Sequence, residues 1–482
     1  MSFRIVFFNI ADFFEKSRFP SLGLAYLASY LRTNSSFNEI HIIEGDGLNK
    51  IKKLKPDLIA ISSVTQRFKE ATALAGLIKK KYKNIPIIIG GHHISALPYT
   101  LPACFDVGVL GEGEATLVEL VELIVNYGFR SDKLSAIKGI VFHNGNEVVV
   151  NARRGLIDDI DSIPFPARDL LVTSRFSSIL TSRGCPYECI FCASVNFWKK
   201  PRFHSAQYVV DEIEEMIKKY KAVHISIWDD LFIADRRRLE TICDLINKRK
   251  INRKVSFGCA LRSNLVNSEL CFLLKKMNVK RVSIGFESGS QKILNLLKCG
   301  SVTVEQHIKA VELCKTNNFY TTGTFMIGSP GEGREDLLKT LALIKKLKLN
   351  GGGTVTMTVP LPGTQLWEYA KQKRLITDEA DSMRSGIMVT DFSKPKDFKG
   401  FLLTDRISKE EFFKIAQEIQ KETNKYYVRG LLRRENISFR NFIFFLSRPK
   451  EVISIFKFIL KFLIRKASIM ERYAYYYKKN NS

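Results

Sequence analysis

The 482-residue sequence has no run of 18 or more uncharged apolar residues, which excludes a conventional transmembrane helix. Its first residues, MSFRIVFFNIADFF, have neither a long apolar core nor a small-residue cleavage site, so no leader peptide is expected. Cysteine is scarce and odd in number, nine in all, without a regular framework. That argues against a secreted disulfide scaffold and leaves a reducing cytoplasm as the expected setting. Acidic residues are few beside basic ones, 49 Asp and Glu against 75 Lys and Arg, for a net charge of +26. Such an excess suits nucleic acid, a membrane surface or an acidic substrate, or simply a lysine-rich surface. No G-x-G-x-x-G with a distal acid is present, so no dinucleotide fingerprint is read. What remains, 45% hydrophobic and 26% charged residues, is the composition of a folded globular protein long enough for two or three domains.

The first 125 residues alternate in type. Apolar runs at 4–10, 39–45, 57–64, 85–91 and 106–114 read as buried strands, and helical spacing occupies 22–32, 69–82 and 115–128. This alternation predicts a doubly wound, Rossmann-like parallel sheet, whose ligands bind at the carboxyl ends of the strands. The polar and glycine-rich stretches fall there: Ser62, Ser63 and Thr65; Gly90, Gly91 and His92; Gly111, Glu112, Gly113 and Glu114. Residues 139–151 read as a hairpin turning at Asn144-Gly145, and 158–171 as an acidic, proline-bearing linker.

A second alternation begins near residue 177, with strands at 177–182, 222–230, 255–261, 281–288, 321–328 and 353–360. Six strands with crossover helices predict a complete or partial β/α barrel. From 376 the alternation is lost and the pattern is helical. The expected division is 1–135, 136–175 (hairpin and linker), 176–375 (barrel) and 376–482 (basic helical region).

Three of the nine cysteines, Cys185, Cys189 and Cys192, stand within eight residues, spaced C-x3-C-x2-C, directly after the first barrel strand. Thiolates are soft ligands for zinc or iron–sulfur clusters. Structural zinc takes four ligands, and only three are local; His204 lies twelve residues past Cys192. A four-iron cluster on three thiolates, with one iron left open to a chelating substrate, accounts for the count better.

This pattern resembles the radical S-adenosylmethionine superfamily. The resemblance implies a 4Fe-4S cluster whose open iron is chelated by the methionyl amino and carboxylate groups, and whose electron cleaves the cofactor to a 5′-deoxyadenosyl radical. It further implies cofactor contacts in order along the barrel. Phe191 matches the aromatic near adenine, and Asp229 and Asp230 in IWDDLF match the segment receiving the amino group. Arg262 matches a basic position near the carboxylate, and Glu287 in IGFESGS the ribose contact. Gly323, Ile327 and Gly328 in GTFMIGSPGE match the station whose backbone meets adenine, and PLPGTQLWEYA (360–370) is a further station. Adjacent Asp229 and Asp230 cannot both face the ligand, because successive strand side chains point to opposite faces.

The first domain is similar to the cobalamin-binding domain found ahead of many such barrels, through SLGLAYLASYLR, IAISSVTQ, IIIGGHH and VLGEGEATLVEL. The resemblance implies corrin contacts at the ten strand-end residues named above. The D-x-H-x-x-G signature that brings a histidine to cobalt is absent, since Asp46 has no histidine two residues on. The lower ligand of cobalt therefore stays open.

Residues 429–482 carry thirteen Lys and Arg against three Glu. In 450–465, Lys450, Ser454, Lys457, Lys461 and Arg465 form one stripe on a helix otherwise apolar but for Glu451. Either this helix packs on the barrel, or residues 439–479 touch the inner face of a membrane. Methylthiolating relatives act on transfer RNA, but they carry extra cysteines in the first domain, where this chain has only Cys104; no nucleic acid partner is expected. The whole reads as a cytoplasmic, cobalamin-dependent radical enzyme that methylates an unactivated carbon of a natural-product, lipid or pigment substrate, served by a reductant such as flavodoxin or ferredoxin. The alternatives are cobalamin-assisted cyclisation or rearrangement without methyl transfer, and a catalytically silent cofactor-binding module. No residue is singled out as a general base.

Overall fold

The computed structural model describes residues 3–10, 21–37, 39–43, 47–129, 131–171, 176–377, 391–393, 395, 398 and 400–434. The basic segment at 439–479, including the helix expected over 450–465, lies outside the described residues.

The first sheet has seven strands: β1 (Arg4–Asn9), β2 (Glu39–Ile43), β3 (Leu58–Ser62), β4 (Ile87–Gly90), β5 (Val107–Val109), β6 (Ile140–Asn144) and β7 (Glu147–Val150). Their order is β2-β1-β3-β4-β5-β6-β7, with β1 to β5 parallel. Alternation along β1 shows why both faces are covered. Ile5 and Phe7 pack with Leu24, Ala28 and Leu31 of helix Leu22–Asn34 and with Leu120 and Val121 of helix Glu114–Tyr127. Val6 and Phe8 pack on the other side with Ala71, Leu74 and Ile78 of helix Phe68–Lys81. The strand order reverses between β1 and β3, and the crevice of a doubly wound sheet opens at such a point.

Two features depart from the sequence reading. A short helix, Gly47–Leu54, fills the crossover from β2 to β3. The hairpin, set apart from the first domain on sequence, continues its sheet: β6 pairs antiparallel with β5 and β7 with β6, around Gly145 at φ +61°.

The second sheet starts at β8 (Phe176–Ile179). After a two-stranded ribbon of β9 (Ser182–Arg183) and β10 (Arg202–Phe203) come β11 (His224–Ile227), β12 (Ser256–Leu261), β13 (Val279–Glu287), β14 (Tyr320–Ile327) and β15 (Gly353–Met357). The six long strands are parallel, in the order β15-β14-β13-β12-β11-β8. β8 and β15 are the two edges, so the barrel is partial. Five of its helices start at side-chain caps that satisfy otherwise unpaired N–H groups: Ser205, Asp235, Asn267, Thr303 and Thr364 each accept from the backbone three residues on. Helix Lys409–Arg434 contributes Phe412, Phe413, Ile415, Ala416 and Ile419 to the barrel's own apolar core. Among the described residues no helix is long and apolar enough to cross a membrane.

Candidate active site at the strand ends

The thiol loop leaves β8 through Thr181, Ser182 and Arg183. Its entry is stapled by Asp229, whose buried carboxylate accepts from Thr181 N (2.6 Å), Thr181 Oγ1 and Ser182 Oγ (2.7 Å). Burial pushes this carboxyl up, against those three bonds. Arg238 adds donations to the carbonyls of Thr181 and His204, each at 2.6 Å. Asp229 thus holds the entry of the loop. Asp230, on the other side, is exposed and accepts from Ser194 Oγ at 2.8 Å. Gly184 follows at φ +89°, where a Cβ would lie 2.9 Å from both Lys200 O and Trp198 Cβ, so only glycine fits.

Cys185, Cys189 and Cys192 are all free and partly buried. Burial raises the thiol pKa of Cys185 and Cys192, and the charges of Asp230 and Cys189 push the same way. The loop is tied to two later stations by backbone bonds: Ile190 N donates to Leu297 O (3.1 Å), and Leu366 N donates to Ile190 O (3.2 Å). Phe191 packs with the cluster of Leu366 and Trp367 in helix Gln365–Gln372.

Arg262, after β12, reaches this loop. Its Nη1 lies 3.4 Å from Cys189 Sγ, Nη2 donates to Ser301 Oγ, and its guanidinium carbon stands 3.7 Å from the centre of the Tyr187 ring. It is only 7% exposed, and Nε has no partner. A buried cation with spare donor capacity beside a thiol suits an anionic ligand. Among the described residues no three His, Cys, Asp or Glu side chains are arranged to hold a single metal ion. A four-iron cluster, with its irons at separate corners, asks for thiolates set wider apart, and the half-buried triplet beside Arg262 has the donor set for it.

Glu287 ends β13 at φ +59°, where the pairing with β14 shifts register. Its carboxylate pairs with buried Lys298 Nζ at 3.0 Å, which also donates to Gly285 O at 2.6 Å. Gly323 makes room for a neighbour: a Cβ there would stand 2.5 Å from the Phe286 ring. Ile327 is fully buried in the core, so its side chain is packing. Gly328 sits at φ +82°, and its N–H and that of Ser329 (3.0 Å) donate to buried Glu332. Burial pushes the Glu332 carboxyl up to about 8, and its Oε1 has no partner.

On the first sheet, Ser62 and Gly90 end β3 and β4, and Gly111, at φ +74°, faces open space. Gly91 stands at φ +106° because the two loops touch: a Cβ would lie 2.4 Å from Ser63 O. Ser63 and Thr65 are buried; Ser63 Oγ donates to Val64 O, and Thr65 meets His93 Nδ1 at 3.2 Å. His93 stacks on Phe68, and burial lowers it to about 4. Gly113 packs against Leu27. Glu112 and Glu114 turn to the second sheet: Arg183 pairs with both (2.6 Å to Glu114), and Arg202 pairs with Glu112 at 2.8 Å. Burial raises the Glu112 carboxyl, but the Arg202 hydrogen bond and the Arg183 charge outweigh it and leave it below the ordinary value. Glu112 and Glu114 therefore anchor the first sheet's strand-end turn to the residues that flank the thiol loop. His92 stacks on Phe197 at 4.2 Å. Burial lowers its pKa, and Asp230 opposes.

The sequence reading missed Arg183, Arg202, Phe197, Trp198, Tyr187, Lys298 and Glu332. Only Arg183 carried a local signal, its place before the triplet. It also missed Cys299, exposed at φ +52°, whose Sγ donates to Glu188 O at 3.1 Å and so brings a fourth thiol to the loop.

Two family models match the chain, the Radical SAM superfamily over residues 179–368 and the B12 binding domain over 16–121. An uncharacterized methyltransferase of Pyrococcus horikoshii is 32% identical over 376 residues, covering 74% of this chain and 80% of the relative. The anaerobic magnesium-protoporphyrin IX monomethyl ester cyclase of Rubrivivax gelatinosus is 26% identical, covering 80% and 72%. Among solved structures, the radical S-adenosylmethionine methyltransferase TsrM from Kitasatospora setae, with cobalamin and a 4Fe-4S cluster bound, has a TM-score of 0.65 at 18% identity, covering 77% of this chain and 75% of that one. The cobalamin-dependent radical enzyme OxsB has a TM-score of 0.59 at 20% identity, covering 80% and 56%. At these identities the structural likeness is one of fold.

Proposed function

This chain belongs to the radical S-adenosylmethionine superfamily, in the branch that carries a B12-binding domain, and we propose that it methylates an unactivated carbon of a natural-product, lipid or pigment substrate. It is an enzyme whose cofactors are a 4Fe-4S cluster, S-adenosylmethionine and cobalamin, working on a small-molecule substrate with an external reductant. When bound, the cluster supplies the electron that cleaves S-adenosylmethionine to a 5′-deoxyadenosyl radical, and cobalamin supplies the methyl group.

The residues divide the work. Cys185, Cys189 and Cys192 hold the cluster. Asp229 fixes the loop that carries them, and Arg262 meets the S-adenosylmethionine carboxylate with its spare donor. Asp230, Phe191, Glu287 and the Gly328 turn surround the rest of that cofactor. Ser62, Gly90, Gly91, His92 and Gly111 face the corrin. The observation that carries the reading is the seam between the two sheets: the strand-end loops of the first sheet, at His92 and at Glu112, touch the flanks of the thiol loop at Phe197 and Arg183. Two cofactor sites built there open toward one substrate. A flavodoxin or ferredoxin as electron donor, a cytoplasmic setting and contact of residues 439–479 with the inner membrane face belong to the same proposal, the last supported by the basic excess of the tail. The division of the chain proposed with it keeps the hairpin at 140–150 with the first sheet and Phe412–Ile419 with the barrel.

The likeness to the ester cyclase favours one second reading, an oxidative cyclisation without methyl transfer. Product analysis separates the two. Methyl transfer yields S-adenosylhomocysteine together with 5′-deoxyadenosine and a substrate heavier by one methyl group; cyclisation yields 5′-deoxyadenosine alone. Absence of 5′-deoxyadenosine under strong reductant would leave only a silent cofactor-binding module.

A further inference from the structure

The seam contains side chains that the reaction as stated does not use. Arg183 stands two residues before Cys185 and forms one flank of the thiol loop. Its side chain is 11% exposed, against 3% for Glu112 and 6% for Glu114, the two carboxylates it pairs with. Arg202 joins Glu112, which also accepts from Ile157 N at 2.8 Å. Two arginines and two glutamates balance, so the buried group is held by pairing rather than by solvent. Trp198 closes it, with the Arg183 and Arg202 guanidinium carbons each 5.6 Å from the centre of a Trp198 ring. The other flank is the short helix Ser194–Trp198, which begins two residues after Cys192. Its Phe197 stacks on His92, which opens the short helix His92–Ala96 after β4, and Asn196 donates to Gly363 O, whose own residue abuts Ala96. Both ends of the thiol loop are therefore anchored on the first sheet's strand-end loops, which is where the corrin is proposed to lie.

We infer that the Arg183–Glu112–Arg202–Glu114 lattice and the Phe197–His92 stack couple the two cofactor sites, so that a filled thiol loop tightens corrin binding and bound corrin tightens cluster retention by the same factor. The inference rests on the two-cofactor reading. Three iron–thiolate bonds fix the backbone from 185 to 192, and its two flanks then cease to move independently. The ordering of both anchors is met once, and the second cofactor meets loops already held. Coupling of this kind commonly amounts to about 5- to 150-fold in affinity. The lattice and the stack are positioning groups, acting through the loops they hold.

The test uses the full chain under anaerobic conditions. Hydroxocobalamin is titrated by equilibrium dialysis into protein with the cluster reconstituted and into the same protein before reconstitution. The expected ratio of dissociation constants is about fivefold or more. Phe197→Leu is expected to bring the ratio below about twofold while the cluster-free constant stays near wild type, and Glu112→Gln with Glu114→Gln is an independent second variant. A merely structural role would weaken both states together and leave the ratio unchanged, which overturns the assignment. A wild-type ratio of one overturns the coupling without need of any variant, and leaves the two-cofactor reading standing. No corrin bound in either state overturns both.

Discussion

Asp229→Ala tests the most definite assignment at the site. The substitution removes the shared acceptor of Thr181 N, Thr181 Oγ1 and Ser182 Oγ, all buried. At ~1 kcal/mol for each orphaned donor the cost is at least about 3 kcal/mol. At ~1 °C per kcal/mol for a chain of this length the melting temperature should fall by roughly 3 °C or more. The loss is local to the residues that enter the thiol loop, so iron retained after anaerobic reconstitution should fall with it. Asp230→Ala is the control. It loses one bond, from Ser194 Oγ, at an exposed site, and should cost less than about 1 kcal/mol. Thermal scans and iron counts on the two variants decide the matter. The reasoning is refuted if Asp229→Ala keeps wild-type stability and iron, or if Asp230→Ala is the more destabilised protein.

Cys192→Ala should lose the cluster, whereas Cys299→Ala should keep about four irons per chain; iron loss in the second variant would make the exposed thiol a ligand. Arg262→Lys gives up the face over Tyr187 and the forked reach to Ser301, and should raise the KM for S-adenosylmethionine about tenfold, at ~1.5 kcal/mol for a charged hydrogen bond, in an assay of 5′-deoxyadenosine release. Glu332, pushed up to about 8 from an ordinary 4.5, favours the fold when protonated. Its contribution is complete below pH 4.5 and is lost as pH rises toward 8. The melting temperature of Glu332→Gln relative to wild type should therefore climb across that window and level off above it; a constant difference would place the titration elsewhere.

The strands were legible because each is a short apolar run, and the thiol spacing was legible because its ligands are local. What escaped is tertiary. The hairpin joins the first sheet through pairs such as Val107 with Phe142, which periodicity cannot reveal. Helix Gly47–Leu54 has four residues of Lys or Asn among its eight and too few turns to announce itself. The Gly-Glu-Gly-Glu turn read as a corrin contact because its partners, Arg183 and Arg202, lie 69 to 90 residues away along the chain. Strand alternation was expected to separate Asp229 from Asp230, but β11 ends at Ile227, and Asp229 is the buried one of the two because Thr181 and Ser182 bond to it. Gly323 suggested a close backbone approach, and the approaching group proved to be the Phe286 ring.

The central claim, two cofactor sites on one chain, is tested most directly by one preparation. The protein is purified without oxygen, reconstituted with iron and sulfide, given hydroxocobalamin and freed of unbound corrin; iron and cobalt are then counted alongside an ultraviolet–visible spectrum. The account predicts about four irons and one corrin per chain. Four irons without corrin would contradict it and leave a cobalamin-independent radical enzyme.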